Sequence, residues 1–522
     1  MPDLRSRLDH TPKPLGFGTS GRRGLIANLT QLEIYINVTA EIEYLLSLQP
    51  EEGGIRRGDD FYYALDLRPS SPALMEAVAQ AIEDAGMRGL SLGHIPTPAL
   101  MHYALSHGKA SIMITGSHIP FDRNGYKLNT SRGELLKEHE TPIGAKVAEV
   151  RARIYGQEFD RSPFNESGAL RQPRAASSAS DAGRERYAAR YLDFFPAQPG
   201  SLNGRRILVY QHSAVGRDLL VEVLTHLGAE VIPAGRSDTF VPIDTENIGA
   251  DQLDAIAKLA APHPNLWAIV STDGDSDRPL LLAHDSTGEL RFFGGDLVGM
   301  ITAQYLNAGA VVVPVTCNDA IDRSALAAVL EPKTRIGSPY VVAGMAAAAA
   351  KGKQAVCGWE ANGGFLLGAD VTRHGRTLTT LATRDAFLPI LSVLYAVAER
   401  NIPVAELFGE LPKRFSRAGL LQDFPREISL RMMELLTRPD SREIAARIFT
   451  PALGFSPIDR FDYTDGVRIL FVGGEAAHIR PSGNADELRI YAVANSQARA
   501  DAIVAEGIRE PDGFLRSLQR LV

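Results

Sequence analysis

The hydrophobic positions of this chain repeat one order of elements three times. Residues 61–92 begin with an apolar run (FYYALD), continue through a turn and an amphipathic segment (PALMEAVAQAIEDAG), and end in a second apolar run. The same order recurs at 206–233 and 310–330, beginning with RILVYQ and AVVVPV. Strand, loop, helix and strand is typical of βαβ units, in which helices cover a mainly parallel sheet. The pattern therefore predicts an α/β protein with three domains of similar plan.

The C-terminal part of the chain has a different pattern. A helical segment (SREIAARIF) precedes three strand-like runs, VRILFV, AAHIRPS and LRIYAVA, and a helix is predicted from Ser496. This order predicts a smaller α+β domain. We place the four domains at 1–195, 196–298, 299–410 and 411–522. Residues 157–184 are polar and rich in Ser, Pro, Ala and Gly, and they predict a surface excursion or a linker.

Composition narrows the class of protein. A chain of 522 residues is too long for one simple core. Its net charge of −7 argues against a nucleic-acid partner. Two cysteines, no apolar N-terminal segment and no apolar run long enough for a bilayer predict a cytoplasmic protein without a membrane partner. Charge and length leave open whether the protein is a monomer or a dimer.

The first stretch that suggests chemistry is TGSHIPFDRNGYK, residues 115–127. It follows the strand-like run ASIMIT, so Ser117 is expected at the end of a strand, where ligands gather in open α/β sheets. Ser117 is a candidate nucleophile, with His118 and Lys127 as candidate acid and base groups. The alternative is a turn built by Pro120, Asn124 and Gly125. The spacing of a P-loop is absent.

The second stretch is STDGDSDRP, residues 271–279, which follows the strand-like run LWAIV. Asp273, Asp275 and Asp277 alternate, so an extended loop can turn their carboxylates to one side. Three oxygen ligands suit Mg²⁺. An EF-hand is excluded because Arg278 and His284 occupy the positions that require Gly and Glu. The alternative is a solvated acidic turn.

Two further loops are weak signals by themselves. GWEANGG, residues 358–364, offers Glu360 and Asn362 to a polyhydroxyl ligand. RPSGNADELRIY, residues 480–491, offers Arg480, Ser482 and Asn484, with backbone N–H groups near Gly483, as an anion-binding nest. For each loop a plain turn is the alternative. GFGTSG at 16–21 matches a dinucleotide-binding fingerprint, but two prolines precede it instead of a strand, so we reject that function.

Taken in order, the four loops resemble the α-D-phosphohexomutase family, which contains phosphomannomutases and phosphoglucomutases. The resemblance runs from FGTSGRRG (17–24) to RPSGNADELR (480–489) and is strongest in TGSH…NGYK and DGDSDR. It implies four domains around a central active-site cleft, with one loop from each. It also implies a phosphosugar substrate, one Mg²⁺ per chain and a hexose 1,6-bisphosphate that primes the enzyme.

The resemblance assigns roles by position in the motifs. Ser117 matches the serine that carries the phosphoryl group and contributes an oxygen to the metal, and Lys127 matches the general base. The metal ligands of the family match Asp273, Asp275 and Asp277, and further active-site positions match Arg23, His118 and Arg278. Glu360 and Asn362 fall in the sugar-binding loop. The phosphate-binding loop matches Arg480, Ser482, Gly483 and Asn484.

Departures from the family pattern bear on the sugar. Ile119 stands where Asn is frequent, EANGG where several branches have Glu-x-Ser-Gly-His, and Asn484 and Asp486 where Thr and Pro are common. EANGG most resembles phosphomannomutases, so mannose phosphate is the expected substrate. The alternatives are a phosphoglucomutase or phosphoglucosamine mutase, an aspartyl-phosphate phosphatase using the D-x-D of DGDSD, and a phosphosugar-binding protein without catalysis.

Overall fold

The structure is a computed structural model that describes residues 2–18, 21–174, 177–196, 202–246, 248–482 and 486–522. Its described residues form an α/β protein with four sheets of four or more strands and one two-stranded ribbon. The first three large sheets are mixed, and the C-terminal sheet is antiparallel. The boundaries 195/196, 298/299 and 410/411 remain predictions.

The first sheet carries the predicted serine loop. Its strands run in the order β1-β5-β4-β2-β3, with β6 beside β5. The elements are α1 (Leu4–Arg7), β1 (Arg22–Leu25), α2 (Gln31–Ser47), β2 (Asp60–Leu65), α3 (Ser71–Asp84), β3 (Arg88–His94), α4 (Thr97–Ser106), β4 (Ser111–Ile114), β5 (Arg123–Thr130), β6 (Gly133–Glu134), α5 (Glu140–Tyr155) and α6 (Ala182–Phe194). The predicted segments 61–66 and 72–86 are β2 and α3.

The second sheet has the order β11-β10-β9-β7-β8 and carries the acidic loop. Its elements are β7 (Arg206–His212), α7 (Arg217–His226), β8 (Glu230–Arg236), α8 (Ala250–Ala260), β9 (Ala268–Thr272), β10 (Pro279–His284) and β11 (Leu290–Phe293). Strands β9 and β10 pair antiparallel, with Thr272 opposite Pro279. The acidic loop is therefore the turn of a hairpin.

The third sheet has the order β12-β13-β14-β17, and β15 and β16 form the ribbon. Its elements are α9 (Gly295–Tyr305), β12 (Ala310–Val312), α10 (Ser338–Ala350), β13 (Val356–Trp359), β14 (Phe365–Leu367), β15 (Val371–Arg373), β16 (Arg376–Leu378), β17 (Leu381–Asp385), α11 (Phe387–Arg400) and α12 (Val404–Gly409). The predicted sugar loop joins β13 to β14.

The C-terminal sheet has the order β18-β22-β21-β20-β19. Its elements are β18 (Phe415–Leu421), α13 (Arg426–Thr437), α14 (Ser441–Ile448), β19 (Ile458–Asp462), β20 (Val467–Phe471), β21 (Ala476–Pro481), β22 (Leu488–Ala494), α15 (Gln497–Ile508) and α16 (Phe514–Gln519). The predicted strands and both predicted helices are confirmed. Ser496 caps α15 by accepting a hydrogen bond from the Arg499 amide.

Three expectations about the fold were wrong. The sheets are not mainly parallel, because only the strands joined by crossover helices are parallel and the hairpin strands beside them, such as β9 and β10, are antiparallel. The segment 320–330 forms two short 3₁₀ helices, Ile321–Arg323 and Ala325–Val329, instead of one helix. Ser324 lies between them and its hydroxyl accepts from the Leu326 amide, which ends one turn and starts the next.

The third correction concerns residues 157–184, which are more than a linker. Phe164 is fully buried with its ring 5.2 Å from that of Tyr35, and Leu170 is buried in the same core. The Gly168 carbonyl accepts a hydrogen bond from the Leu32 amide. Two apolar side chains in a polar segment therefore attach it to α2. Residues 175 and 176 lie outside the described residues.

Two negative expectations can be compared with the fold. The GFGTSG segment is followed by a strand, β1, and not by the helix that a dinucleotide fingerprint requires. Among the described residues, every helix is too short or too polar to cross a bilayer.

Candidate active site

Ser117 lies in a tight loop just after β4. Its side chain is fully buried, and its Oγ donates a hydrogen bond of 2.6 Å to Asp273 Oδ2. Its φ of 54° places a residue other than glycine in the left-handed region. Such strain costs about 1–3 kcal/mol and is concentrated at functional sites. The geometry therefore favours a chemical role for Ser117 over a plain turn.

Arg68, which the sequence analysis missed, holds the serine loop in this shape. Its guanidinium is buried and donates hydrogen bonds to four loop carbonyls, those of residues 117, 119, 120 and 123. It also lies over the Phe240 ring, 3.9 Å from the centroid. Asp66 holds the start of the loop through the Thr115 hydroxyl and Gly116 amide. The segment RPSS was predicted only as a turn, since nothing in its sequence shows that its arginine turns inward.

Arg68→Lys is expected to lower the free energy of unfolding by about 2–4 kcal/mol, because a lysine cannot donate to four carbonyls in one plane and leaves buried oxygens without partners. Turnover should fall with it as Ser117 loses its position. Thermal unfolding and kcat measure the two effects. Arg205→Lys is the control, since Arg205 also lies over an aromatic ring, Trp267, but at the surface. Equal stability of the two variants would contradict this role for Arg68.

Asp273, Asp275 and Asp277 are buried and form one cluster, with a carboxylate oxygen from each within 4.8 Å of the others. The loop is fixed from two sides. The Thr97 amide and hydroxyl at the start of α4 donate to the Asp275 carbonyl and carboxylate, and the Val215 amide donates to the Gly274 carbonyl. A side chain at Gly274 would lie 2.8 Å from the Ser117 carbonyl, so glycine permits the two loops to touch.

The charges of this cluster call for a cation. Burial, followed by the charges of Asp275 and Asp277, raises the pKa of Asp273 well above its usual value. Burial acts to raise the pKa of Asp277 too, but Arg384, Lys127 and Arg278 together hold it below its usual value. Asp275 Oδ1 and Asp277 Oδ1 have no hydrogen-bond partner among the described residues. Three clustered carboxylates, two of them with such an oxygen, fit a divalent cation such as Mg²⁺.

Lys127 lies on β5 opposite Met113 of β4, and its ammonium is in direct contact with the acidic loop. Its Nζ lies 2.7 Å from Asp275 Oδ2 and 2.6 Å from Asp277 Oδ2. The predicted base and the predicted metal ligands therefore meet within one site, although 148 and 150 residues separate them in the chain.

Arg23, His118 and Arg278 line one cavity, whose extent is described below. His118 Nδ1 lies 3.4 Å from Ser117 Oγ. Burial, then the charges of Arg278 and Arg23, lower the pKa of His118 well below its usual value, which favours the neutral imidazole. Burial and Arg278 lower the pKa of Arg23 to about 10. Arg278 Nε lies 3.6 Å from Asp277 Oδ1.

Glu360 and Asn362 lie in the turn between β13 and β14, and both line the cavity. The side-chain oxygen of Asn362 accepts a hydrogen bond from the Gly364 amide. The backbone carbonyl of Asn362 accepts one from the hydroxyl of Thr245, which lies between β8 and α8. Glu360 receives a hydrogen bond of 2.8 Å from Arg384, a second residue that the sequence analysis missed. The sequence signal that could have identified Arg384 is the charged pair Arg384 and Asp385 at the end of strand β17.

The predicted phosphate loop is only partly described. Arg480, at the end of β21, lines the cavity and its Nε donates to Asp465 over 3.1 Å. The Ser482 side chain is buried, and its carbonyl accepts from Arg426. Gly483 and Asn484 lie outside the described residues. Asp486, one of the departures from the family pattern, is exposed.

One cavity of about 760 Å³ brings the loops together. Its walls come from all four predicted domains, with Arg23 and His118 from the first, Arg278 from the second, Glu360 and Asn362 from the third and Arg480 from the fourth. Seven arginines line it, Arg23, Arg123, Arg278, Arg384, Arg417, Arg480 and Arg489, and they outnumber the five acidic residues of its wall, Asp244, Glu246, Glu360, Glu487 and Asp501. A cavity of this size with an excess of basic side chains suits an anionic molecule larger than inorganic phosphate.

Comparison with known proteins decides the family. Models of phosphoglucomutase/phosphomannomutase α/β/α domain I, α/β/α domain III and the C-terminal domain match residues 14–153, 294–415 and 427–509. The chain is 38% identical over 494 residues to a phosphomannomutase of Salmonella muenchen, covering 94% of each chain. The chain belongs to the α-D-phosphohexomutase family. This phosphohexomutase is an isomerase of the phosphomannomutase/phosphoglucomutase type.

Other relatives of the phosphohexomutase are similar at different levels. A phosphomannomutase of Sinorhizobium fredii is 37% identical, covering 94% of this chain and 98% of its own. A phosphoglucosamine mutase of Paracoccus denitrificans is 28% identical, covering 76% and 81%. The solved Aspergillus fumigatus N-acetylphosphoglucosamine mutase, in complex with GlcNAc-6P and magnesium, has a TM-score of 0.59 at 14% identity over 99% of this chain and all of its own. That likeness concerns the fold.

Proposed function

We propose that this phosphohexomutase interconverts mannose 1-phosphate and mannose 6-phosphate, with Ser117 carrying the phosphoryl group between turnovers. The observation that carries the proposal is the contact of 2.6 Å between Ser117 Oγ and Asp273 within the buried aspartate cluster. A serine hydroxyl beside three carboxylates is a poor nucleophile alone. It becomes a suitable phosphoryl carrier where a cation neutralises the site.

Asp273, Asp275 and Asp277 would hold one Mg²⁺, with an oxygen of the phosphorylated Ser117 as a further ligand. When bound, Mg²⁺ supplies neutralisation of the charge on the transferred phosphoryl group. Arg278 lies beside the same carboxylates, with its Nε 3.9 Å from Asp273 Oδ2 and 3.6 Å from Asp277 Oδ1, and would add a positive charge next to the phosphoryl group. The fungal relative of the same fold was solved in complex with magnesium, which supports Mg²⁺ as the proposed ion.

The reaction needs two transfers of one phosphoryl group each. In the first, the bond from phosphorus to Ser117 Oγ breaks as phosphorus bonds to the free hydroxyl of the sugar phosphate, and the hydroxyl proton passes, with Lys127 as the proposed base, to the departing Ser117 Oγ. The product is mannose 1,6-bisphosphate. The bisphosphate reorients within the cavity. Ser117 Oγ then takes the other phosphoryl group, and its proton passes to the sugar oxygen that leaves. A hexose 1,6-bisphosphate also phosphorylates an unmodified Ser117, which explains its role as primer.

Sugar hydroxyls and the stationary phosphate are held by separate loops. Glu360 and Asn362 offer a carboxylate and an amide to the hydroxyls, and Arg480 with Ser482, Gly483 and Asn484 grips the phosphate that does not react. A variant of the fungal relative in complex with glucose 1,6-bisphosphate supports a cavity of this fold accepting a bisphosphate.

The identity of the sugar is tested by a comparison of rates. With Mg²⁺ and a hexose bisphosphate primer, we expect kcat/KM for mannose 1-phosphate to exceed that for glucose 1-phosphate and glucosamine 1-phosphate by about 10-fold or more, since a site that bonds a particular hydroxyl rejects its epimer. A preference for glucosamine phosphate would favour the second candidate, a phosphoglucosamine mutase, which the relative at 28% identity supports.

A further inference from the structure

Arg384 lies at the centre of the site but belongs to none of the four loops. It is the fourth residue of β17, and its side chain is 3% exposed. Strand β17 pairs with β14, whose first residue Phe365 follows the sugar loop directly. The guanidinium therefore reaches the cavity from behind the sugar loop, and it forms part of the cavity wall.

The Arg384 guanidinium joins the acidic loop to the sugar loop. Its Nε and Nη2 both lie 3.0 Å from Asp277 Oδ2, and its Nη1 donates to Glu360 Oε2 over 2.8 Å. Asp277 belongs to the proposed metal site and Glu360 to the proposed sugar site. One rigid planar group thus sets the distance between two carboxylates that come from different sheets.

The chain makes room for this contact at one position. A Cβ at Gly364 would lie 2.5 Å from Arg384 Cδ and 2.8 Å from its Cγ, so any other residue there would displace the arginine stem. The second glycine of EANGG therefore makes room for the Arg384 side chain. Burial acts against the charged form of Arg384, but Asp277 and Glu360 raise its pKa above the usual value, so the pair of contacts retains its charge.

We propose that Arg384 is a positioning residue that fixes Glu360 relative to the phosphoryl-transfer centre and so determines sugar preference. The inference rests on the proposed function. Glu360 would touch the sugar hydroxyls, while Arg384 acts through Glu360. Sugar orientation against Ser117 then depends on a residue outside the sugar loop, because a misplacement of about 1 Å in a reacting group can lower the rate by about 10²-fold.

The test uses Arg384→Lys, which retains the charge but has one point donor in place of the planar fork. We expect kcat for mannose 1-phosphate to fall by about 10²-fold and the mannose-to-glucose ratio of kcat/KM to fall by about 10-fold. Glu360→Gln should lower that ratio similarly. The double variant should lower it no further, since both changes remove the same interaction. An unchanged ratio in Arg384→Lys, or additive effects in the double variant, would overturn the proposal.

Two further variants separate positioning from folding. Arg414→Lys changes another buried arginine, one that pairs with Asp319 away from the cavity. It should lower the melting temperature as Arg384→Lys does and leave the sugar ratio unchanged. A shifted ratio in Arg414→Lys would overturn the proposal. If Arg384→Lys does not fold, Gly364→Ala replaces it. This variant retains the arginine but displaces its stem, and it must lower the ratio for the proposal to stand.

A titration with Mg²⁺ alone decides the inference if the wild type converts none of the sugars and the proposed function fails. Neutralising Glu360 frees Arg384 to pair more fully with Asp277, which competes with the metal for that carboxylate. Glu360→Gln should therefore weaken Mg²⁺ binding by about 3-fold or more. In an Arg384→Lys background, Glu360→Gln should leave Mg²⁺ affinity unchanged. Equal Mg²⁺ affinity of the wild type and Glu360→Gln would overturn the coupling.

Discussion

Ser117→Ala is expected to abolish turnover, lowering kcat by about 10⁴-fold or more, as removal of a nucleophile does in other enzymes. The alanine has no atom to carry the phosphoryl group, so neither transfer can occur. Conversion of mannose 1-phosphate, with Mg²⁺ and primer present, measures the loss. The Ser117 hydroxyl also donates to Asp273 Oδ2, and the two backbone donors of Asp273 bond its other oxygen, so the substitution should lower the free energy of unfolding by about 1–3 kcal/mol.

Ser392→Ala is the matched control for this variant. Ser392 is fully buried on α11, and its hydroxyl has no hydrogen-bond partner among the described residues. Its removal should leave the rate unchanged and stability equal or higher. A fully active Ser117→Ala enzyme would contradict the phosphoserine and would favour the aspartyl-phosphate alternative, in which the nucleophile belongs to the acidic loop.

Asp275→Asn should produce the second large effect. It removes one of three carboxylate charges, and with it one ligand oxygen that has no other partner among the described residues. We expect apparent Mg²⁺ affinity and kcat each to fall by about 10²-fold or more, since an amide is a weaker ligand for a hard cation. Rates over a range of Mg²⁺ concentrations measure both quantities, and a chelator should stop the wild type.

Asp254→Asn, an exposed position on α8, makes the same change in net charge and serves as the control. It should retain the Mg²⁺ dependence of the wild type. Undiminished turnover of the wild type after complete chelation would contradict the assignment of Asp273, Asp275 and Asp277 to a metal.

The sequence predicted those parts of the site that lie in continuous motifs. Ser117 and Asp273 each follow an apolar strand, and the strands end at the same side of the molecule, so their side chains meet. Arg68 and Arg384 could not be placed in this way. Each is a single arginine whose side-chain hydrogen-bond partners are 24 to 107 residues away in the chain, and only folding brings them together.

The fold was predicted to the same degree. Local periodicity identified β2, α3, β7, α7 and the C-terminal strands β20, β21 and β22, because each has an apolar face of regular spacing, but it missed β18 and β19. It could not decide strand direction, which depends on whether a hairpin or a crossover helix follows. Ser324 shows a second limit of prediction from periodicity. Its hydroxyl accepts a hydrogen bond from the Leu326 amide and so divides the segment 320–330, whose composition is typical of one helix.

The central claim is that Ser117 carries the phosphoryl group, and mapping that group on the protein tests it most directly. The enzyme would be incubated with a hexose 1,6-bisphosphate and digested, and its peptides analysed by mass spectrometry, with and without later addition of mannose 1-phosphate. We predict one acid-stable phosphoryl group on Ser117 that is lost when the sugar phosphate is added. A phosphoryl group on an aspartate that hydroxylamine removes, or none that the sugar discharges, would contradict the account.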